Sequence, residues 1–195
     1  MTRILAIETS TSVCSVALGN SKATMAVMES NDGYNHASLL TTYIQKVSEQ
    51  SGTDLDELDA VAVSKGPGSY TGLRIGVSVA KGLCYALNKP IIAVSAIEAM
   101  AREQNRQYEA KKGKTLIIPM VDARRMEVYC AAWNNRMEEV MPLDARIIDE
   151  NSLDAFHGYD EIILCGDGAA KCAPLFKNDK RVTVNHSLLA SAKQM

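Results

Sequence analysis

Several large classes of protein are excluded by what this chain does not contain. Its five cysteines, Cys14, Cys84, Cys130, Cys165 and Cys172, are an odd, scattered set without a Cys-x-x-Cys pair. That argues against a disulfide framework and a zinc ribbon, and points to reduced thiols, several serving as small hydrophobes. The three histidines, His36, His157 and His186, lie far apart with neither His-x-x-x-His nor His-Glu-x-x-His spacing, so no metal site is expected. No run of eighteen apolar residues occurs, and Glu8 ends the first apolar run too early for a signal peptide. A soluble, cytoplasmic protein with no membrane contact is expected. Basic runs are missing as well: 21 Lys and Arg stand against 23 Asp and Glu, a net charge of -2, which disfavours autonomous RNA binding.

The chain has 195 residues, 47% of them hydrophobic. A chain of this length buries roughly 70% of its unfolded surface, enough for one medium domain or two small ones. Three short runs rich in β-formers open it, at 4–9, 12–19 and 23–30, and read as an antiparallel meander. Leu40, Tyr43, Ile44 and Val47 fall at helical spacing over 36–51, ahead of Gly52 as a C-cap. Thr53 and Asp56 suggest a capping box, 60–66 a strand, 70–88 a second helix, 91–95 a strand, and AIEAMAREQNR the start of a third helix. The polar segment 102–114 interrupts this order. The pattern then partly repeats, with strands at 116–125, 127–134 and 161–165, a Gly-rich turn, and a short helix carrying 173–176. Two lobes are expected, 1–103 and a smaller 104–195, each α/β with a mixed sheet and related by internal duplication.

The stretch KGPGSYTGLRIG, 65–76, has the look of a phosphate loop, but Gly66, Gly68 and Gly72 are spaced one residue too widely for a dinucleotide fingerprint. A P-loop's Gly-Lys-Ser/Thr ending is missing too. Ser69 lacks a Gly-x-Ser-x-Gly elbow and is better read as a helix cap. Gly68, Gly72, Gly76 and Ala80, four apart, would thin one side of the second helix for a neighbouring helix. Arg74, Ser78, Lys81 and Tyr85 make a polar stripe, and the remaining circumference is more apolar than one sheet contact needs. Either both helices pack on their own sheet, or the surplus is covered by another subunit.

Glu8 and Asp122 each end an apolar strand at matching places in the two halves. In a fold that cups a nucleotide, such acids hold Mg²⁺ through water. Thr9, Ser10, Ser69, Gly166 and Gly168 would then be its phosphate and nucleoside contacts. Strand ends are also commonly capped by acids and Ser/Thr turns, the plainer reading of the same residues.

Taken in order, ILAIETSTSVCSVAL, AVAVSKGPGSYTGLRIGVSVAKGL, PIIAVSAIEAMA, VDARRMEVY and CGDGA resemble the bacterial TsaB family across nearly the whole chain. The resemblance implies a duplicated, RNase H-like, actin-like (ASKHA) fold. It implies a non-catalytic subunit required, with TsaD and the ATPase TsaE, to place threonylcarbamoyl on the adenosine beside the anticodon. TsaD would perform the transfer, and tRNA would be met only through the complex. The catalytic paralogue carries two metal-binding histidines four apart where this chain has Ala96 and Met100, so no catalytic residue is expected here. Docking to TsaD, or to a second copy of the chain, would use helices 36–51 and 70–88 through Leu40, Tyr43, Ile44, Val47, Gly72, Leu73, Gly76, Val77 and Ala80. No cofactor is required by this chain; ATP or ADP at the heteromeric interface is left open, and an autonomous ASKHA-type ATPase is the alternative function. Family members continue past the position of Met195 through a further helix and tail, so a shortened second lobe is expected.

Overall fold

A computed structural model describes residues 2–31, 33, 35–108 and 113–195. The part of the polar interruption at 109–112 lies outside the described residues. The chain divides into two compact units, Met1–Ala96 with Ala190–Met195, and Ile97–Leu189. The boundary falls at the start of a helix rather than at 103, and the last six residues belong with the first unit.

In the first unit, β1 (Arg3–Glu8), β2 (Cys14–Asn20) and β3 (Thr24–Ser30) form the expected antiparallel meander. Strand β4 (Ala60–Ser64) and β5 (Ile91–Val94) then add in parallel, giving the order β3-β2-β1-β4-β5. Side chains alternate across a strand, so Leu5, Ile7, Val16, Leu18, Val61 and Val63 share one face of the sheet. Helices α1 (His36–Ser51) and α2 (Tyr70–Leu87) both pack on that face. The opposite face is lined by Ala6, Ala17 and Ala62, small enough for the turn Ala192–Gln194 to lie close. Gly52, at φ +61°, ends α1 as expected. The capping box sits one residue later than the sequence suggests, on Asp54 and Glu57, because Thr53 is buried behind the α1 terminus with its amide on the Ser48 carbonyl.

The second unit opens with α3 (Ala96–Gln107), whose first residue belongs to the first unit, and repeats the sheet. Strands β6 (Thr115–Asp122), β7 (Glu127–Asn134) and β8 (Glu139–Ile147) are an antiparallel meander. Strand β9 (Glu161–Cys165) and β10 (Val182–Asn185) join in parallel, giving β10-β9-β6-β7-β8. The duplication read from the sequence is therefore present strand for strand. What shrinks is the helical cover. In place of α1 stands the 3-10 turn Asp154–Phe156, and in place of α2 stand the one-turn α4 (Ala169–Cys172) and the 3-10 turn Ala173–Phe176. Two strands escape sequence reading, β8 and β10. Both lie at sheet edges, where a strand can be short or, in β8, carry Pro142 without losing a ladder bond on both sides. Among the described residues, no helix is long and apolar enough to cross a membrane.

Candidate functional site

The 65–76 stretch carries β4 into α2, and the start of the helix is hydrogen-bonded to the turn after β1. The Ser69 amide donates to the Ser10 carbonyl at 2.6 Å, and Ser69 Oγ caps the helix by accepting from Gly72 N at 3.2 Å. Thr9 Oγ1 donates to the Gly72 carbonyl at 2.9 Å. The turn after β1 is thus stitched onto the first turns of α2.

The glycines belong to this seam. A Cβ at Gly68, whose φ is +148°, would lie 2.0 Å from the Ser10 carbonyl oxygen; at Gly72 it would lie 2.1 Å from that of Thr9, and at Gly76 2.3 Å from Thr9 Oγ1. The small-residue stripe therefore admits the Thr9-Ser10 backbone, not a neighbouring helix. This corrects the docking assignment for Gly72, Gly76 and Ala80, which are buried inside the first unit. The same correction holds for Leu40, Tyr43, Ile44 and Val47, all part of the unit's own core. The physical reason is shared: each lies on the side of its helix that faces the sheet. The outward side of α1 is polar, with Ser38, Thr41, Thr42, Gln45 and Glu49 exposed.

The outward side of α2 differs. Tyr70 is 74% exposed and Tyr85 92% exposed, with the Arg74 guanidinium 5.4 Å above the Tyr70 ring. Leu73 and Val77 are half-buried on the flank, and Ser78 and Lys81 are exposed. Tyr70, Arg74, Val77, Lys81 and Tyr85 follow the three- and four-residue steps of one helix face. Large aromatic rings standing in water mark a contact surface more strongly than isolated aliphatic exposure does. The sequence pattern held this signal in Tyr85 and Arg74, which read simply as polar positions.

Glu8 is fully buried. Its Oε1 accepts from Ser10 N at 2.6 Å, and burial, opposed by hydrogen bonds from Ser10 and Ser64, raises its pKa from the ordinary 4.5. With the folded pKa above the unfolded one, the native state holds more protons in the window just above 4.5, so stability falls as pH climbs through it. The Glu8→Gln variant keeps an acceptor for Ser10 N without the buried charge. It should gain on the wild-type protein in thermal midpoint from acid to neutral pH; parallel pH profiles for the two proteins would contradict a raised Glu8 pKa.

Asp122 lies in the second unit. Lys171 Nζ holds its Oδ1 by a short charge-assisted contact and also donates to the Glu127 carbonyl at 2.7 Å, while Arg124 N donates to Asp122 Oδ1 at 2.7 Å. Burial pushes its pKa up, but Lys171 and the Arg124 amide outweigh this and hold the carboxyl below its ordinary range. Burial raises the pKa of Asp167, whose Oδ1 accepts from Asp122 N. Gly166, at φ +90°, and Gly168 press against the Met120 backbone, where a Cβ on Gly166 would lie 2.3 Å from the carbonyl oxygen. These are the tolerances of a strand-to-helix turn. As arranged, neither carboxylate fits a hydrated Mg²⁺: Glu8 is enclosed, and an ammonium already neutralises Asp122. Ala96 and Met100 are buried and apolar. Among the described residues, no three His, Cys, Asp or Glu side chains are grouped to hold a metal.

A family model described as TsaD, tRNA N6-adenosine threonylcarbamoyltransferase, matches residues 29–163. Over 131 residues the chain is 40% identical to the tRNA threonylcarbamoyladenosine biosynthesis protein TsaB of Escherichia coli, covering 67% of this chain and 54% of that protein. With the protein of the same description from Bacillus subtilis it shares 35% over 142 residues, 71% of this chain and 59% of the other. These alignments span a little over half the length of the curated relatives. Among solved structures, YeaZ from Pseudomonas aeruginosa superposes with a TM-score of 0.81 at 27% identity, covering 100% of this chain and 88% of that one. A Bacteroides thetaiotaomicron protein of actin-like ATPase fold and unknown function superposes at 0.52 with 10% identity, a likeness of fold alone.

Proposed function

Because the chain belongs to the TsaB family, we propose that it is a non-catalytic partner subunit in threonylcarbamoyladenosine modification of tRNA, docking onto TsaD and acting together with TsaE. The single observation that carries this reading is the exposed aromatic face of α2. Tyr70 and Tyr85 stand in water on a helix whose other side is taken up by its own sheet. A surface of that composition suits the centre of a protein interface, where aromatic and arginine side chains concentrate the binding energy. Ala96 and Met100 support an accessory role: alanine offers no donor atom and methionine only a soft thioether, a poor ligand for hard or borderline cations. The occupied carboxylates of Glu8 and Asp122 lend no support to an autonomous ATPase.

The test is binding of the purified chain to purified TsaD. A stable heterodimer in native mass spectrometry and size exclusion is expected, with TsaE joining only when both are present. Separate migration of the two proteins at micromolar concentration would end the docking reading. In isolation, a second copy is expected to use the same α2 face, so TsaD should dissociate any homodimer.

A further inference from the structure

The second unit contains a cavity of about 180 Å³ beneath its edge strand β8. Ile118, Met120 and Cys130 come to it from the sheet, and Leu153, Phe156 and Phe176 from the two 3-10 turns. It lies where those turns stand in place of a full helix over the sheet. Among the described residues that line it, Arg146 alone carries a charge; burial pushes the Cys130 thiol up to about 11, so that group stays neutral. The register Val128↔Arg146 puts the arginine on the covered face of the sheet, beside residues of the core.

Arg146 is incompletely satisfied there. Its side chain is 40% exposed, but its Nε is buried and has no hydrogen-bond partner among the described residues, and its ion pair with Asp144 is long, 3.9 Å, through a terminal nitrogen to a carboxylate 65% exposed. A screened pair of that kind contributes little. A buried, unpaired guanidinium N–H is costly and is completed by an acceptor, best an ionised one. The Ser152 hydroxyl, also at the cavity, is already engaged with Asp149 at 2.7 Å.

We propose that this cavity binds a small apolar monocarboxylate, its chain against Met120, Phe156 and Phe176 and its carboxylate on Arg146. The volume is below the roughly 300 Å³ at which pockets for drug-sized ligands begin, and the apolar wall disfavours polyanions such as nucleotides. The proposal is independent of docking by α2 and needs no partner protein to test.

Titration of methyl-labelled methionines with hexanoate, 1-hexanol and acetate decides it. Hexanoate should give saturable shifts at Met120 and at Met141, which lines the cavity from β8; hexanol should bind at least tenfold more weakly, and acetate should give no saturable shift. Arg146→Gln should weaken hexanoate at least tenfold while leaving hexanol binding intact, which also reports that the variant is folded. Ala155 lines the cavity from the 3-10 turn 154–156, and Ala155→Leu should fill it and remove both. The assignment is overturned if hexanoate and hexanol bind equally, if acetate reproduces the hexanoate shifts, if Arg146→Gln binds hexanoate as well as wild type, or if no saturable shift occurs. Should Arg146→Gln fail to fold, the comparison of the three ligands on the wild-type chain decides alone.

Discussion

Replacing Gly72 by alanine is expected to destabilise the first unit by about 2 to 3 kcal/mol, while the same change ten residues on, at Gly82, stabilises it by up to about 1 kcal/mol. Both glycines lie in α2, where alanine is the better helix former. Their surroundings differ. A Cβ on Gly72 would meet the Thr9 carbonyl oxygen at 2.1 Å, a backbone atom of the buried β1–β2 turn, whereas a Cβ on Gly82 meets nothing within 4 Å among the described residues. The propensity gain is alike at the two sites and the packing cost falls on one of them. Urea unfolding of the two variants beside wild type measures the pair. Equal effects of the same sign would mean that the seam between α2 and the β1–β2 turn is not as close as described. The same geometry rules out Gly76→Leu as a probe of docking, since a side chain there meets Thr9 and unsettles the unit before any partner is involved.

The second large effect is expected at the outward side of α2. Tyr85→Glu removes an aromatic ring that is 92% exposed and makes little use of its own fold. Its thermal midpoint should therefore stay within a degree or two of wild type, in line with the small stability effects of exposed positions. Loss of a central aromatic contact, with a charge put in its place, should weaken binding to TsaD by about 2 kcal/mol or more, roughly thirtyfold. Val77→Arg should act in the same direction; it is half-buried, and the long arginine stem can reach water from that flank. Titration calorimetry with TsaD measures both variants. Unchanged affinity in Tyr85→Glu would remove this face from the interface. A substitution on the polar outer side of α1, Gln45→Ala, serves as the control and should bind as wild type does.

Much of the fold was legible because its signals are local. The meander, both long helices with the Gly52 and Ser69 caps, and the echo of the first strands in 115–134 follow from apolar periodicity and turn chemistry. The edge strands β8 and β10 were not, since Pro142 and the charges of β8 oppose strand propensity and pairing on one side overrides them. On α1 and α2 the apolar and small-residue patterns mark the sides that face the protein's own sheet. Small residues four apart on α2 announce close approach, but spacing cannot say of what; the Thr9-Ser10 backbone fills that place, more than sixty residues away in sequence. Leu40, Ile44 and Val47 are apolar because the sheet needs them, and Tyr70 and Tyr85 stand out only once the sheet-facing side of α2 is known. Glu8 and Asp122 occupy matching strand ends, yet one is enclosed by its own turn and the other is paired to Lys171, a contact across 49 residues that no local pattern announces.

The most direct test of the docking-subunit account is reconstituted threonylcarbamoylation of tRNA by TsaD and TsaE, supplied with threonylcarbamoyl-adenylate, as this chain is titrated in. The rate should rise in step with the chain up to one equivalent of TsaD, and Tyr85→Glu should require a large excess to reach the same plateau. A rate independent of the chain, or a Tyr85→Glu titration that overlays the wild-type one, would contradict it.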